Sequence, residues 1–211
     1  MTDGAAPEAA GPRIGVILAG GLARRMGGGD KGARVLAGQS LLTHVIARIR
    51  PQVDDLVLNA NGDPGRFATT GLPVVADSVP DHPGPLAGVL AGLDWAAARH
   101  GEGAVVISVP VDAPLLPADL VERLASVAAP LACAASGGRH HPVIGLWPVS
   151  IRETLRRALV QDGVRKIDRF TALLGIAAAS WPVTPYDPFL NVNREEDLGV
   201  AEDVLRGGAG G

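Results

Sequence analysis

A chain of 211 residues with one cysteine, Cys133, can form no internal disulfide and no cysteine-based zinc site. The five histidines, His44, His82, His100, His140 and His141, fall into no H-E-x-x-H or other zinc spacing. Excess positive charge is also missing: 19 Lys and Arg against 22 Asp and Glu leave a formal net charge of −3. That balance argues against a generic nucleic-acid binder, whose usual footprint is a strongly basic face. No run of about 18 apolar residues is present to span a membrane. Residues 1–12 have neither the basic n-region nor the apolar h-region of a signal peptide. The expectation is a soluble, cytoplasmic protein with a disordered leader (1–12), one domain (13–205) and a disordered tail (206–211). Apolar residues make up 47% of the chain, enough for a substantial core.

Between the ends, strand-like and helix-like segments alternate. Strands are expected at Ile14–Leu18, Leu56–Leu58, Val74–Ala76, Ala104–Val109, Leu131–Ala135, Val143–Trp147 and Ala177–Trp181. Ser40 is placed to cap a helix through about Arg50, ended by Pro51. Leu86, Val89, Leu90 and Leu93 set the apolar stripe of a helix to His100. Pro117 and Asp119 suit the first turn of another, with Leu120, Val121, Leu124 and Val127 inward. Ser150 with Glu153, and Asn193 with Glu196, read as capping boxes for helices to Val160 and Leu205. A further helix, Arg165–Leu174, should stop at Gly175. The pattern predicts an α/β fold: a Rossmann-like, mostly parallel sheet with helices on both faces, in a single domain. Ligands of such sheets bind outside the carboxyl ends of the strands, where Ala19–Gly21, Asn59, Asp77 and Asp112 all fall.

The organising stretch is Leu18–Lys31, which holds five glycines and the basic Arg24, Arg25 and Lys31. Exposed backbone N–H groups and basic side chains at a strand end make an anion site. Both G-x-x-x-x-G-K-[ST] and G-x-G-x-x-G are missing, which excludes a P-loop and a dinucleotide fingerprint. Asp112, between Pro110 and Pro114, is the best metal-ligand candidate, a turn-forming Asp being the plainer reading. Asn59 and Asp77 also have a plain reading as Asx-turn residues. Cys133 and the three tryptophans are expected to pack in the interior. Arg152, Arg156, Arg157, Arg165 and Arg169 make the region after Ser150 locally basic, either a solvated helix face or a platform for an anionic ligand.

Leu18–Gly21, Arg25–Gly27 and Asp30–Lys31 together resemble the signature of the molybdenum cofactor guanylyltransferases. The resemblance continues through Asn59-Ala60-Asn61, Asp77-Ser78, Pro83–Gly88, Val111–Pro114, His141-Pro142 and Asn191-Val192-Asn193, about residues 14–205. It implies transfer of GMP from GTP to the terminal phosphate of molybdenum-molybdopterin, with Mg²⁺, releasing pyrophosphate. It implies that Leu18, Ala19, Gly20, Gly21, Lys31, Asn59, Asp77 and Asp112 bind GTP, with Asp112 on the metal and Arg25 beside Lys31 on the phosphates. Pro83, Gly84, Pro85 and Gly88 would lie near the base; Asn191 and His141 are pterin-side candidates, and His82 a weaker one. Asn193 reads first as a helix cap. Transient contacts with proteins that deliver and receive the cofactor are implied, and none with nucleic acid or membrane. Two rivals stand beside this reading. A cytidylyltransferase more typically carries Ala where this chain has Gly20; the missing methyl leaves room for a purine. The other rival is a nucleotide-binding adaptor without activity.

Overall fold

The computed structural model describes residues 11–20, 31–79 and 84–208. Seven strands form the main sheet: β1 (Arg13–Leu18), β4 (Asp55–Asn59), β5 (Val74–Val75), β6 (Val105–Pro110), β7 (Ala132–Ser136), β8 (Arg139–Pro148) and β9 (Ala177–Trp181). Their order is β5-β4-β1-β6-β8-β7-β9. Among the described residues only β8 runs against the rest. Gly137 and Gly138 explain that reversal. Both have positive φ (53° and 77°), as a two-residue hairpin turn demands. β2 (Val35–Leu36) and β3 (Gln39–Ser40) make a separate antiparallel ribbon.

Among the described residues there are six α-helices, five of them packed on the main sheet. On one face α1 (Leu41–Ile49) and α3 (Leu120–Ala125) bury Val45, Ile49, Leu120 and Leu124 against Ile17, Leu58 and Val109. On the other, α2 (Pro85–His100), α4 (Arg152–Val160) and α5 (Ile167–Leu174) cover Ile14, Val16 and Val106. The central strands β1 and β6 are thus covered on both sides and mostly apolar, with Ser108 of β6 the buried polar exception. A third cluster of Leu36, Leu41, Leu115, Val192 and Ala201 seats α6 (Glu195–Gly208) over the β2–β3 ribbon.

α2 approaches β1 closely because its contact residues are glycines. A Cβ at Gly92 would stand 2.4 Å from a methyl of Val16, and one at Gly88 would stand 2.3 Å from Asn59 Oδ1. A second local device sits in β8. Cys133 pairs with Gly145 but the adjacent Ala134 pairs with His141, so residues 142–144 bow out as a bulge. The buried Ser108 hydroxyl donates to the Val143 carbonyl within the bulge (2.7 Å) and accepts from Trp147 Nε1 (2.8 Å).

Several local expectations change. Ser40 does cap α1, accepting from Thr43 N at 3.1 Å, and Pro51 sits in a short 3-10 turn after it. α3 starts at Leu120, with Asp119 ahead of its first turn and Val127 only half-buried. The Ser150–Glu153 capping box does not form: a 3-10 turn over Val149–Ile151 precedes α4, and Glu153 pairs with Arg152 and Arg156 instead. α6 opens at Glu195 and runs beyond Leu205 to Gly208. Its cap is Asp197, whose carboxylate accepts from Asn193 N (2.8 Å) and Arg194 N (2.7 Å), rather than Glu196.

Candidate active site

Three strands end side by side. Leu18 of β1 is in register with both Asn59 of β4 and Pro110 of β6. Backbone bonds continue past the ends: Ala19 N donates to Asn59 O (2.9 Å), Val111 N to Leu18 O (3.1 Å) and Ala60 N to Val75 O (3.0 Å). The chain runs from β1 outward through β4 to β5, then crosses by α2 to β6 on the other side of β1. That change of direction is the switch point at which open α/β sheets bind ligands. Gly20 lies over it, exposed.

On the β4–β5 side, Asn59 is 2% exposed. Its amide donates to Val75 O (3.2 Å) and to Asp77 Oδ1 (3.0 Å). Asn61 donates to the second oxygen, Asp77 Oδ2 (2.7 Å), and accepts from Asp77 N (2.9 Å). Asp77 is therefore no simple Asx-turn residue. Two amides hold its carboxylate in one orientation, and a carboxylate has capacity for further donors beyond those two.

On the β6 side, Lys31 Nζ donates to Asp112 Oδ2 at 2.8 Å, and to Asn193 Oδ1. The Asp112 side chain is 16% exposed and that of Lys31 34%. Val192 N donates to the backbone carbonyl of Asp112 (2.8 Å), which fixes the Asn191–Asn193 segment beside it. Arg34 donates to Asn193 O (3.1 Å). This overturns the helix-cap role for Asn193: its side chain is turned to the lysine, and Asp197 takes the cap. Those two backbone N–H bonds hold the Asp197 carboxyl below its ordinary range. A lysine ammonium, a carboxylate and an amide oxygen thus converge at the mouth of the switch point.

Residues 15–175 match a family model described as the MobA-like NTP transferase domain. A molybdenum cofactor guanylyltransferase from Nitrobacter hamburgensis is 60% identical over 195 residues, covering 90% of this chain and 93% of that protein. One from Rhodopseudomonas palustris is 58% identical over 193 residues, covering 90% and 92%. The chain belongs to the molybdenum cofactor guanylyltransferase family. Its fold is shared with a molybdopterin-guanine dinucleotide biosynthesis protein A from Archaeoglobus fulgidus, with a TM-score of 0.69 at 22% identity over 92% of this chain and 99% of that one. It is shared also with a 4-diphosphocytidyl-2C-methyl-D-erythritol synthase from Anaerococcus prevotii, with a TM-score of 0.71 at 11% identity over 93% and 97%.

Against that family signature, Leu18, Ala19, Gly20, Lys31, Asn59, Asp77 and Asp112 gather at the strand ends, with Gly84, Pro85 and Gly88 at the start of α2. Gly21, Arg24, Arg25, His82 and Pro83 lie outside the described residues. Among the described residues, a Cβ at Gly20 would meet Asn59 Oδ1 alone, at an ordinary 3.6 Å. His141 sits at the far side of the same edge. Ser136 Oγ donates to Asp187 Oδ1 (2.8 Å) and so must accept from His141 Nε2 (2.8 Å). Burial lowers the His141 pKa, keeping the ring neutral at neutral pH. The carboxylate contacts the serine and not the imidazole, so this is not the ordering of a Ser-His-Asp nucleophile.

Asn191 is exposed and makes no hydrogen bond among the described residues that would define a role. Arg152 pairs with Glu102 and Glu153, and Arg156 with Asp94 and Glu153, so those two cations belong to a solvated, neutralised helix face. Sequence reasoning missed Arg34 and the contact of Asn193 with Lys31, and gave Asn61 no role beyond its place in the Asn59-Ala60-Asn61 match. For Asn61 the signal was there: it stands two residues from Asn59.

Proposed function

We propose that this chain transfers GMP from GTP to the terminal phosphate of molybdenum-molybdopterin at the Lys31–Asp112–Asn193 cluster. A terminal-phosphate oxygen attacks the α-phosphorus, the bond to the β-phosphate's bridging oxygen breaks, and pyrophosphate leaves. The product is the molybdopterin guanine dinucleotide form. The attacking monoester has a second pKa near ~6 and is mostly dianionic at pH 7, so no general base is needed. Alignment and charge neutralisation carry the reaction.

The residues take these parts. Backbone at Leu18–Gly21 and the Lys31 ammonium receive the triphosphate, Arg25 assisting. Asp77, held by Asn59 and Asn61, accepts from the nucleoside. The backbone of Pro83–Gly88 borders the base. Asn191 and His141 stand on the pterin side. Among the described residues no three His, Cys, Asp or Glu side chains gather into a self-sufficient metal site. One carboxylate beside amide oxygens instead fits Mg²⁺, which is usually shared between one or two carboxylates and substrate phosphates. Asp112 would hold it, and Mg²⁺ would neutralise charge on the triphosphate. The lone free thiol fits a reducing cytoplasm, where the proteins that supply and accept the cofactor would meet the enzyme transiently.

The observation that carries this reading is the convergence of Lys31, Asp112 and Asn193 at the switch point beside Gly20. Its test is Asp112→Asn, which keeps side-chain volume. Pyrophosphate release with Mg²⁺, GTP and molybdenum-molybdopterin should drop at least ~100-fold, in line with loss of a transition-state charge partner, while the melting temperature holds. Retained turnover would move the metal site elsewhere. Release with CTP in preference to GTP would replace the guanine assignment, and binding without release would favour the adaptor.

A further inference from the structure

Two neighbouring cations reach the same distant residue. Lys31 opens the 3-10 turn Lys31–Ala33, and Arg34 follows it, with Arg34 N donating to Lys31 O (3.3 Å). Lys31 Nζ donates to the Asn193 side chain at Oδ1. The Arg34 guanidinium donates to the Asn193 backbone carbonyl (3.1 Å). The residue that offers its amide to the lysine is thus also held through its main chain by the arginine.

Both ends of that grip are anchored. Leu41 N donates to Arg34 O (2.8 Å), which ties the half-buried arginine to the start of α1, and the next residue, Val35, pairs with Ser40 in the β2–β3 ribbon. On the other side, Val192 is fully buried and its N–H donates to Asp112 O (2.8 Å). Asp197 accepts from Asn193 N and from Arg194 N. Arg34 lies close enough to act on that carboxylate: after the N–H bonds from Arg194 and Asn193 and the charge of Arg194, the charge of Arg34 helps to hold the Asp197 carboxyl below its ordinary range. The carbonyl of Asn193 and the N–H of Arg194 belong to one planar peptide unit and point opposite ways in the trans form. Asp197 holds one edge of that plane and Arg34 the other, so the plane cannot tilt without breaking a bond. The direction of the Asn193 side chain follows from the two peptide planes on either side of its Cα.

We propose that Arg34 is a positioning residue for the transfer reaction: it grips the Asn193 main chain beside the turn that carries Lys31, and so keeps the Asn193 amide on the Lys31 ammonium and the ammonium where the triphosphate arrives. In this role Arg34 acts through Asn193 and Lys31 and not on the reacting atoms. A guanidinium suits it, being always charged and presenting its donors in a rigid fork, where a lysine ends in a compact, rotatable charge. The inference rests on the proposed placement of the triphosphate on Lys31.

A double-mutant cycle tests it. Arg34→Met keeps an apolar stem and removes the donors. Asn193→Ala keeps the carbonyl that Arg34 holds and removes only the amide that reaches Lys31. The calorimetric Kd for Mg·GTP is measured for the parent, both single variants and the double variant, with melting temperatures alongside. Arg34→Met alone should raise Kd about 3- to 10-fold, the scale of one hydrogen bond. In the Asn193→Ala background the same change should move Kd by less than about twofold, because residues acting through one contact do not add. Arg34→Lys, which keeps a positive charge beside Asp197, goes through the same cycle, so the result does not depend on how well α6 tolerates methionine. An equal rise in both backgrounds overturns the proposal, since Arg34 would then act on the phosphates directly or through the fold alone. An unchanged Kd in the folded Arg34 variants also overturns it. Lys31→Met separates the underlying reading. If that variant binds Mg·GTP as tightly as the parent, the placement of the triphosphate fails and the inference with it. If it binds more weakly while the Arg34 variants do not, the inference falls alone.

Discussion

Replacing Gly88 by alanine sets two known effects against each other. An interior helical glycine gives up about 1 kcal/mol relative to alanine, so propensity alone predicts stabilisation. Packing predicts the reverse. The new Cβ would stand 2.3 Å from Asn59 Oδ1, 3.0 Å from its Cγ and 2.8 Å from a Leu18 methyl. Neither neighbour yields easily: Leu18 is core, and the Asn59 amide is tied to Val75 O and Asp77 Oδ1. Overpacking costs typically about 1–3 kcal/mol. Displacing Asn59 instead sacrifices two hydrogen bonds, one to a carboxylate, at about 1–3 kcal/mol each. Packing wins, with a net loss of about 1–3 kcal/mol.

For a chain of this length each kcal/mol moves the melting temperature by about 2–4 °C. Gly88→Ala should therefore melt roughly 2–12 °C lower by calorimetry, and its Kd for Mg·GTP should rise because Asp77 loses a support. Gly199→Ala is the internal control. It is a helical glycine in α6 with open space around its Cβ position, so only propensity acts and the melting temperature should rise by about 2–4 °C. A Gly88→Ala protein as stable as its parent, with unchanged GTP affinity, would refute the close-approach argument.

Lys31→Met should weaken GTP binding, yet raise the affinity for Mn²⁺ without nucleotide, because Asp112 Oδ2 is freed; calorimetry showing no gain in Mn²⁺ affinity would count against the pairing. Ser108→Ala leaves Trp147 Nε1 and the Val143 carbonyl buried without their partner, a loss of about 2–4 kcal/mol readable in urea unfolding. His141 should titrate below 6.5 by NMR. Its folded pKa is lowered, so the unfolded chain takes up the proton first, and stability should fall as pH drops below the ordinary histidine value. A midpoint above 6.5 would contradict the burial argument.

Strands and helices were legible because apolar period and punctuation are local. The run Ile14–Leu18, the Ser40 cap and the stop at Gly175 each carry their own signal. The direction of β8 was legible too, in Gly137-Gly138 between two apolar runs, though alternation of strand and helix pointed to a parallel neighbour. The capping boxes failed for a different reason. Glu153 found better partners in two arginines, and Asp197 reached the α6 end where Glu196 did not. The site divides the same way. Asn59, Asp77 and Asp112 fall at strand ends that any reader can place. The pairing of Lys31 with Asn193 joins positions 162 residues apart and is decided by how α6 seats on Leu36, Leu41 and Leu115. No local pattern carries that.

The seating of α6 has a bearing on when the enzyme becomes competent. The sheet edge with Asn59, Asp77 and Asp112 is made by residues that leave the ribosome before the amide that steadies Lys31. During synthesis the N-terminal part of a chain becomes available before the rest, while a domain folds as a unit. Before residue 193 is in place, Lys31 has Asp112 but not the Asn193 amide to hold. The latch closes when Val192 docks on the Asp112 carbonyl and Ala201 enters the third cluster. Removing α6 should therefore loosen Lys31 at the strand-end site while the main sheet keeps its own cores.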